Sequence, residues 1–310
     1  MTTQLSLAYS TCPNDTFGFY GLAKGCVTCP GISFQISLAD VETLNQAARN
    51  RAYDITKLSF AAMGNLRSNY WLLKSGAALG RGCGPLIVAK PGKGIASLSD
   101  SAIAVPGMDT TACLLTGLYL GKPPRAFPMT FDRIMPEVSK GSFDFGVIIH
   151  EGRFTYPEYG LVSILDLGLW WEQKTGLPVP LGCIAAGRNL DLNVVKNVEK
   201  AIADSISFAF AHPDQTAPYV REHAQEMAPA VIQQHIDLYV NEFSLDIGTE
   251  GVRAVETLFS MAQDSGRIPP DVSRLMPSGR GICISKRSWA HRFLDIVPKK
   301  EKGCRMIHYP

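Results

Sequence analysis

Ile32-Ser33-Phe34-Gln35-Ile36-Ser37-Leu38 alternates apolar and polar side chains without a break. A period of two marks a strand with one buried face. On the N-terminal side, Leu5, Leu7 and Tyr9 alternate with smaller residues and predict a first strand. The turn Thr11-Cys12-Pro13-Asn14-Asp15 follows it. Asn14 or Asp15 is expected to cap a helix starting near Thr16. On the C-terminal side, Asp40 precedes a short helix with Val41, Leu44 and Ala48 on one face, and residues 53–59 read as a third strand. The order strand–helix–strand–helix–strand predicts the parallel sheet of an α/β protein.

Residues 76–94 hold six glycines (Gly76, Gly80, Gly82, Gly84, Gly92 and Gly94), as a linker, a hinge or a close backbone approach would. A second α/β series follows. Residues 102–105 read as a strand, 110–120 and 132–140 as helices, and 145–149 as a buried strand with His150 just past its end. Further strands are expected at 162–167 and 181–186. Val194, Val198, Ile202, Ile206 and Phe210 recur at helical spacing, predicting a long amphipathic helix ended by His212-Pro213. Helices at 216–225, 230–242 and 249–266 complete the pattern. Two lobes are expected: 1–91 plus 187–270, and 92–186, with a basic tail over 271–310.

The chain has 310 residues, 46% of them hydrophobic and 19% charged, enough apolar material for buried cores. A net charge of +2 gives no nucleic-acid footprint over the whole molecule. No apolar run reaches the roughly 18 residues of a membrane helix, and no secretory signal is visible. The eight cysteines then read as free cytosolic thiols. Cys26-x-x-Cys29 has no second ligand pair to complete a zinc site. From Arg267 onward there are ten Lys/Arg against three Asp/Glu. That stretch reads as a solvated extension, with an oligomer or anionic-surface contact as the sharper alternative.

Candidate functional residues lie at strand ends, where open α/β sheets bind ligands. His150 is either a general base at a cleft rim or a core histidine holding the next turn. Thr110-Thr111 opens a helix after a Pro-Gly turn, offering either an anion site or simple capping. Ser59 and Asp15 either face the same cleft or cap their helices. There is no Walker loop, dinucleotide fingerprint or HExxH motif, so neither a nucleotide nor a metal cofactor is expected.

Taken together, longer motifs resemble one family. They include Cys12-Pro13-Asn14-Asp15-Thr16-Phe17, Asp40-Val41-Glu42-Thr43-Leu44-Asn45 and Thr56-Lys57-Leu58-Ser59. They continue through Val105-Pro106-Gly107 with Thr110-Thr111-Ala112, His150-Glu151-Gly152-Arg153-Phe154-Thr155-Tyr156, and Pro180-Leu181-Gly182. Over about residues 5–262 the chain resembles the 1,4-dihydroxy-6-naphthoate synthases of the futalosine route to menaquinone. The resemblance implies a two-lobed, periplasmic-binding-protein-like (type II) fold used in the cytoplasm. It implies a carbon–carbon lyase that converts cyclic dehypoxanthinylfutalosine to 1,4-dihydroxy-6-naphthoate plus dihydroxyacetone, without a cofactor. The implied partner is a small aromatic carboxylate. The family's base falls on His150, and its substrate contacts on Lys57, Leu58, Ser59, Thr111 and Ala112. Asp15, Asn45 and Leu181 match pocket-lining positions. A small-carboxylate solute-binding protein and the sister chorismate dehydratase are the rival readings.

Overall fold

The computed structural model describes residues 2–224, 228–271 and 273–277. Its strands are β1 (Thr3–Tyr9), β2 (Ile32–Leu38), β3 (Ile55–Ser59), β4 (Tyr70–Leu72), β5 (Ala78–Gly80), β6 (Leu86–Ala89), β7 (Ala102–Val105), β8 (Arg125–Pro128), β9 (Phe145–Ile148), β10 (Val162–Asp166) and β11 (Val179–Gly187). They form two sheets. The first has the order β2-β1-β3-β11-β4 with β5 also on β11, and the second β10-β6-β9-β7-β8. β1 pairs in parallel with β2 and β3, as the first sixty residues predict. β11, arriving from the far side of the sequence, runs antiparallel to β3, so the sheet is mixed. In the second sheet β7 is parallel to β8 and β9, while β6 is antiparallel to β9 and β10. The chain passes between the sheets twice, after β5 and before β11.

The helices are α1 (Pro13–Ala23), α2 (Val41–Arg49), α3 (Phe60–Asn65), α4 (Thr111–Leu120), α5 (Phe131–Lys140), α6 (Gly152–Thr155), α7 (Leu167–Thr175), α8 (Leu192–Ala211), α9 (Pro213–His223), α10 (Pro229–Tyr239), α11 (Glu242–Leu245) and α12 (Gly248–Asp264). α8 is the long amphipathic helix that the spacing predicts. Its Val195, Val198, Ile202 and Ile206 join Leu7, Phe19 and Ile184 in one core. α9 starts on Pro213, because His212 cannot continue a helix into a proline. Asp40 caps α2 through the amides of Glu42 and Thr43. The expected cap of α1 is absent: Cys12 holds the N-cap position and no side chain bonds there. Asp15 is turned elsewhere, to the partners described below.

The glycine-rich stretch contains a close approach. A Cβ on Gly84 would lie 2.2 Å from the Cα of Gly168, where β6 enters the second sheet beside the start of α7. Backbone cannot yield as a flexible side chain can. Residues 273–277 pack back onto the body: the Leu275 carbonyl accepts from Leu72 N at 2.9 Å on edge strand β4. The rest of the expected tail, from 278, lies outside the described residues. Among the described residues no helix is long and apolar enough to cross a membrane.

Gly84→Ala is expected to cost about 1–3 kcal/mol, the usual range for overpacking. Urea unfolding reads this as a lower midpoint with an unchanged slope. A wild-type midpoint contradicts the close approach.

Candidate functional site

Four strand exits converge on one cavity. Ser10 directly follows β1, the first turn of α1 supplies Asn14 and Asp15, and β3 supplies Lys57 and Ser59. The start of α4 supplies Thr110, Thr111 and Ala112; His150 follows β9; Leu181 lies on β11. Eight of the ten site residues expected from sequence therefore line the cavity: Asp15, Lys57, Ser59, Thr110, Thr111, Ala112, His150 and Leu181.

The other two sit behind it. Leu58 is fully buried in the core, because alternation along β3 sends Lys57 and Ser59 to the cavity side and Leu58 away. Asn45 is also fully buried. Its Oδ1 accepts from Ser59 N at 2.9 Å and its Nδ2 donates to Ser59 Oγ at 3.1 Å. Asn45 thus fixes the serine instead of facing the cavity.

One end of the cavity is built around Asp15. Its Oδ1 accepts from Lys57 Nζ at 2.6 Å and from Asn14 Nδ2 at 2.8 Å. Its Oδ2 accepts from Ser10 Oγ at 2.6 Å and Ser10 N at 3.2 Å. Both side chains of the ion pair are almost completely buried, 6% and 4% exposed. A carboxylate with four donors, one of them an ammonium, meets the conditions for keeping a buried charge.

The other end offers donors. Ser59 is the N-cap residue of α3 but makes no side-chain cap bond; its Oγ accepts from Asn45 Nδ2, which leaves its own proton free to bond a ligand in the cavity it lines. The threonine hydroxyls are engaged. Thr110 Oγ1 donates to Gly107 O at 2.7 Å and accepts from Cys113 N at 3.2 Å. Thr111 Oγ1 donates to Leu181 O at 2.7 Å and accepts from Ala61 N at 3.2 Å. What Thr111 and Ala112 present to a ligand is therefore backbone NH, at helix positions that have no preceding carbonyl to bond. These groups suit a carboxylate.

His150 lies between the two ends. Its backbone φ of 56° is in the left-handed region, which non-glycine residues rarely adopt. Such strain costs on the order of 1–3 kcal/mol and clusters at functional sites. Burial is the main influence on its ring and lowers its pKa to about 4; Asp15 and Asp40 oppose that and Lys57 adds to it. The imidazole is thus neutral at pH 7 and able to accept a proton. Its Nε2 is 3.7 Å from Cys12 Sγ. Burial pushes the Cys12 thiol up, so it stays protonated.

Further contacts join elements of one sheet to those of the other. Arg49 on α2 grips Asp109 with two bonds, 3.0 and 2.5 Å. Asp109 N donates to Glu42 Oε1 at 3.3 Å. Sequence reasoning singled out the polar turn that holds Cys12, Asn14 and Asp15 but missed Ser10 and Tyr239. Ser10 directly precedes that turn. Tyr239 comes from α10, and only tertiary folding brings it there.

The arrangement defines a class first: two α/β sheets with a ligand cavity at their strand ends. The alkanesulfonate-binding protein of Xanthomonas axonopodis shares that fold, with a TM-score of 0.66 and 11% identity over 87% of this chain and 96% of its own. A protein of Archaeoglobus fulgidus is more similar, with a TM-score of 0.81 and 35% identity over 86% of this chain and 98% of that one. A family model described as menaquinone biosynthesis matches residues 5–264. A 1,4-dihydroxy-6-naphthoate synthase of Thermus thermophilus is 48% identical over 86% of this chain and 96% of its own length. The chain belongs to the menaquinone biosynthesis family and is an enzyme of it.

Lys57→Met leaves the Asp15 carboxylate buried without its ammonium, and stability is expected to fall by about 3–5 kcal/mol. In an Asp15→Asn background the same change is expected to cost much less, and a double-mutant cycle in urea measures the difference. Equal costs in both backgrounds contradict the pairing.

Proposed function

We propose that this chain catalyses the conversion of cyclic dehypoxanthinylfutalosine to 1,4-dihydroxy-6-naphthoate, releasing the sugar-derived carbons as dihydroxyacetone, and that it does so in the cytoplasm. The reading rests on the family and on one geometric observation: a neutral imidazole shares a cavity with donors suited to an aromatic carboxylate. The two sheets are taken as the bodies of two lobes that close on the substrate.

Ser59 Oγ and the amides of Thr111 and Ala112 hold the carboxylate by charge-assisted hydrogen bonds, which are stronger than neutral ones. With one end fixed, the sugar remnant lies toward His150 and the Asp15–Lys57 pair. His150 removes a proton from the substrate. The electron pair released drives cleavage of a carbon–carbon bond next to a carbonyl, and that carbonyl oxygen takes up the charge. The free hydrogens of the Lys57 ammonium are placed to stabilise that oxygen. The three-carbon fragment leaves and the remaining ring becomes aromatic, which supplies driving force without a cofactor. Closure over the cavity excludes water and strengthens each of these interactions.

Incubating the purified protein with the cyclic futalosine derivative is expected to yield the naphthoate; absence of product overturns the reading. His150→Ala is expected to lower kcat by about 10²–10⁴-fold, the typical contribution of a general base, with product affinity retained. Near-normal turnover in that variant removes the base. Ser59→Ala is expected to raise KM more than it lowers kcat, because its hydroxyl serves binding. The base works in its neutral form, and its pKa is lowered to about 4. Activity should therefore stay level from neutral pH down to about 5 and fall below that. An acid limb at the ordinary imidazole value of about 6.5 contradicts the burial of His150.

A further inference from the structure

His235 on α10 is fully buried, and the reaction proposed above does not use it. Its ring lies parallel to that of His150, 7° between planes and 5.9 Å between centroids. Its Nε2 is 3.0 Å from Asn14 Oδ1. The orientation of that amide follows from Asp15. Asn14 Nδ2 donates to Asp15 Oδ1 at 2.8 Å, and reversing the amide sets oxygen against carboxylate. With Oδ1 facing His235, the ring proton of His235 is on Nε2. Nδ1 is then a bare acceptor; it makes no hydrogen bond and lies 3.6 Å from Glu151 Oε2.

Such a ring cannot rotate without breaking its bond to Asn14, and it lies parallel to the His150 imidazole on one side of it. Phe131 on α5 approaches the same imidazole with 5.1 Å between centroids. We infer that His235 is a positioning residue for His150: locked in one tautomer through Asn14 and Asp15, its ring stacks on the His150 imidazole and holds it dry and aimed into the cavity. The inference rests on the reading of His150 as base. The ionisable groups around the two rings are Cys12, Asp15 and Asp40, Lys57, Glu151, and Tyr239, whose ring packs on His235 with 4.6 Å between centroids. Asp15 and Asp40 favour a charged His150 and Lys57 opposes it. The excluded water is what His235 adds to that balance.

Three variants of the full chain, His235→Ala, His235→Phe and His235→Gln, separate this role from a structural one. His235→Ala is expected to lower kcat by about 10–100-fold, as misplacement of a catalytic group does, with KM little changed. Water then reaches His150, and the acid limb of the pH–rate profile moves up toward about 6.5. His235→Phe keeps a flat ring over His150 and is expected to keep the acid limb low and to turn over faster than His235→Gln, which keeps a donor but no ring. The inference is overturned if His235→Ala turns over as wild type, if turnover falls with the acid limb unmoved, or if Gln rather than Phe preserves the profile. Should the alanine variant fail to fold, the comparison of Phe with Gln decides the same question. Full turnover in His150→Ala brings down the base reading and this inference together. An inactive His150→Ala beside wild-type His235 variants brings down this inference alone.

Discussion

The Asp15–Lys57 ion pair is the constraint on which the site is built. It joins the first turn of α1 to β3 at the wall of the cavity, with both charges almost completely withdrawn from water. The desolvation cost of such a pair is recovered only when the remaining lone pairs are bonded. Ser10 and Asn14 do this, and so their own positions are fixed by the same carboxylate. Asn14 passes the order on to His235, and His235 to the ring of His150. One buried charge pair thereby sets the tautomer and orientation of groups from α1, β3, α10 and the exit of β9.

The cavity is divided by chemistry as well as by position. At one end is an ion pair; at the other, a serine hydroxyl and the unbonded amides of α4; the imidazole of His150 lies between them. The halves of the site come from different sheets, so neither is complete without the other. Arg49–Asp109 and the bond from Asp109 N to Glu42 link them at the edge. Arg49 is about half exposed, and an exposed ion pair contributes little on its own. The close contact of the inner groups, Thr111 with Leu181 and Cys12 with His150, holds the halves together where the cavity lies.

Much of this was legible in the sequence, for physical reasons that can be named. Alternation along β2 and the four-residue spacing of α8 report directly on which side of each element is buried. Asp40 behaves as its position before an apolar helical stripe predicts. Asp15 does not, because capping and ion pairing compete for one carboxylate, and only the folded chain brings Lys57 to it. The reading of Thr110 and Thr111 as a helix start held. Their hydroxyls turned out to be engaged by Gly107 and Leu181, which no local pattern could reveal. Leu58 stands behind the cavity for a related reason: adjacency in sequence to a site residue does not set which face a side chain takes, and Asn45 is drawn to the back of Ser59 by bonds that only the folded chain makes. β11 is the largest topological departure from the expected parallel sheet. It is a return strand from the second half, and its direction depends on the path of the chain, not on its composition.

The most direct test is a crystal structure of the protein with 1,4-dihydroxy-6-naphthoate bound. The account predicts the carboxylate of that ligand on Ser59 Oγ and the amides of Thr111 and Ala112, with the ring system reaching toward His150 Nε2. A ligand seated outside this cavity, or bound with its carboxylate on Lys57 and its ring turned away from His150, would contradict it.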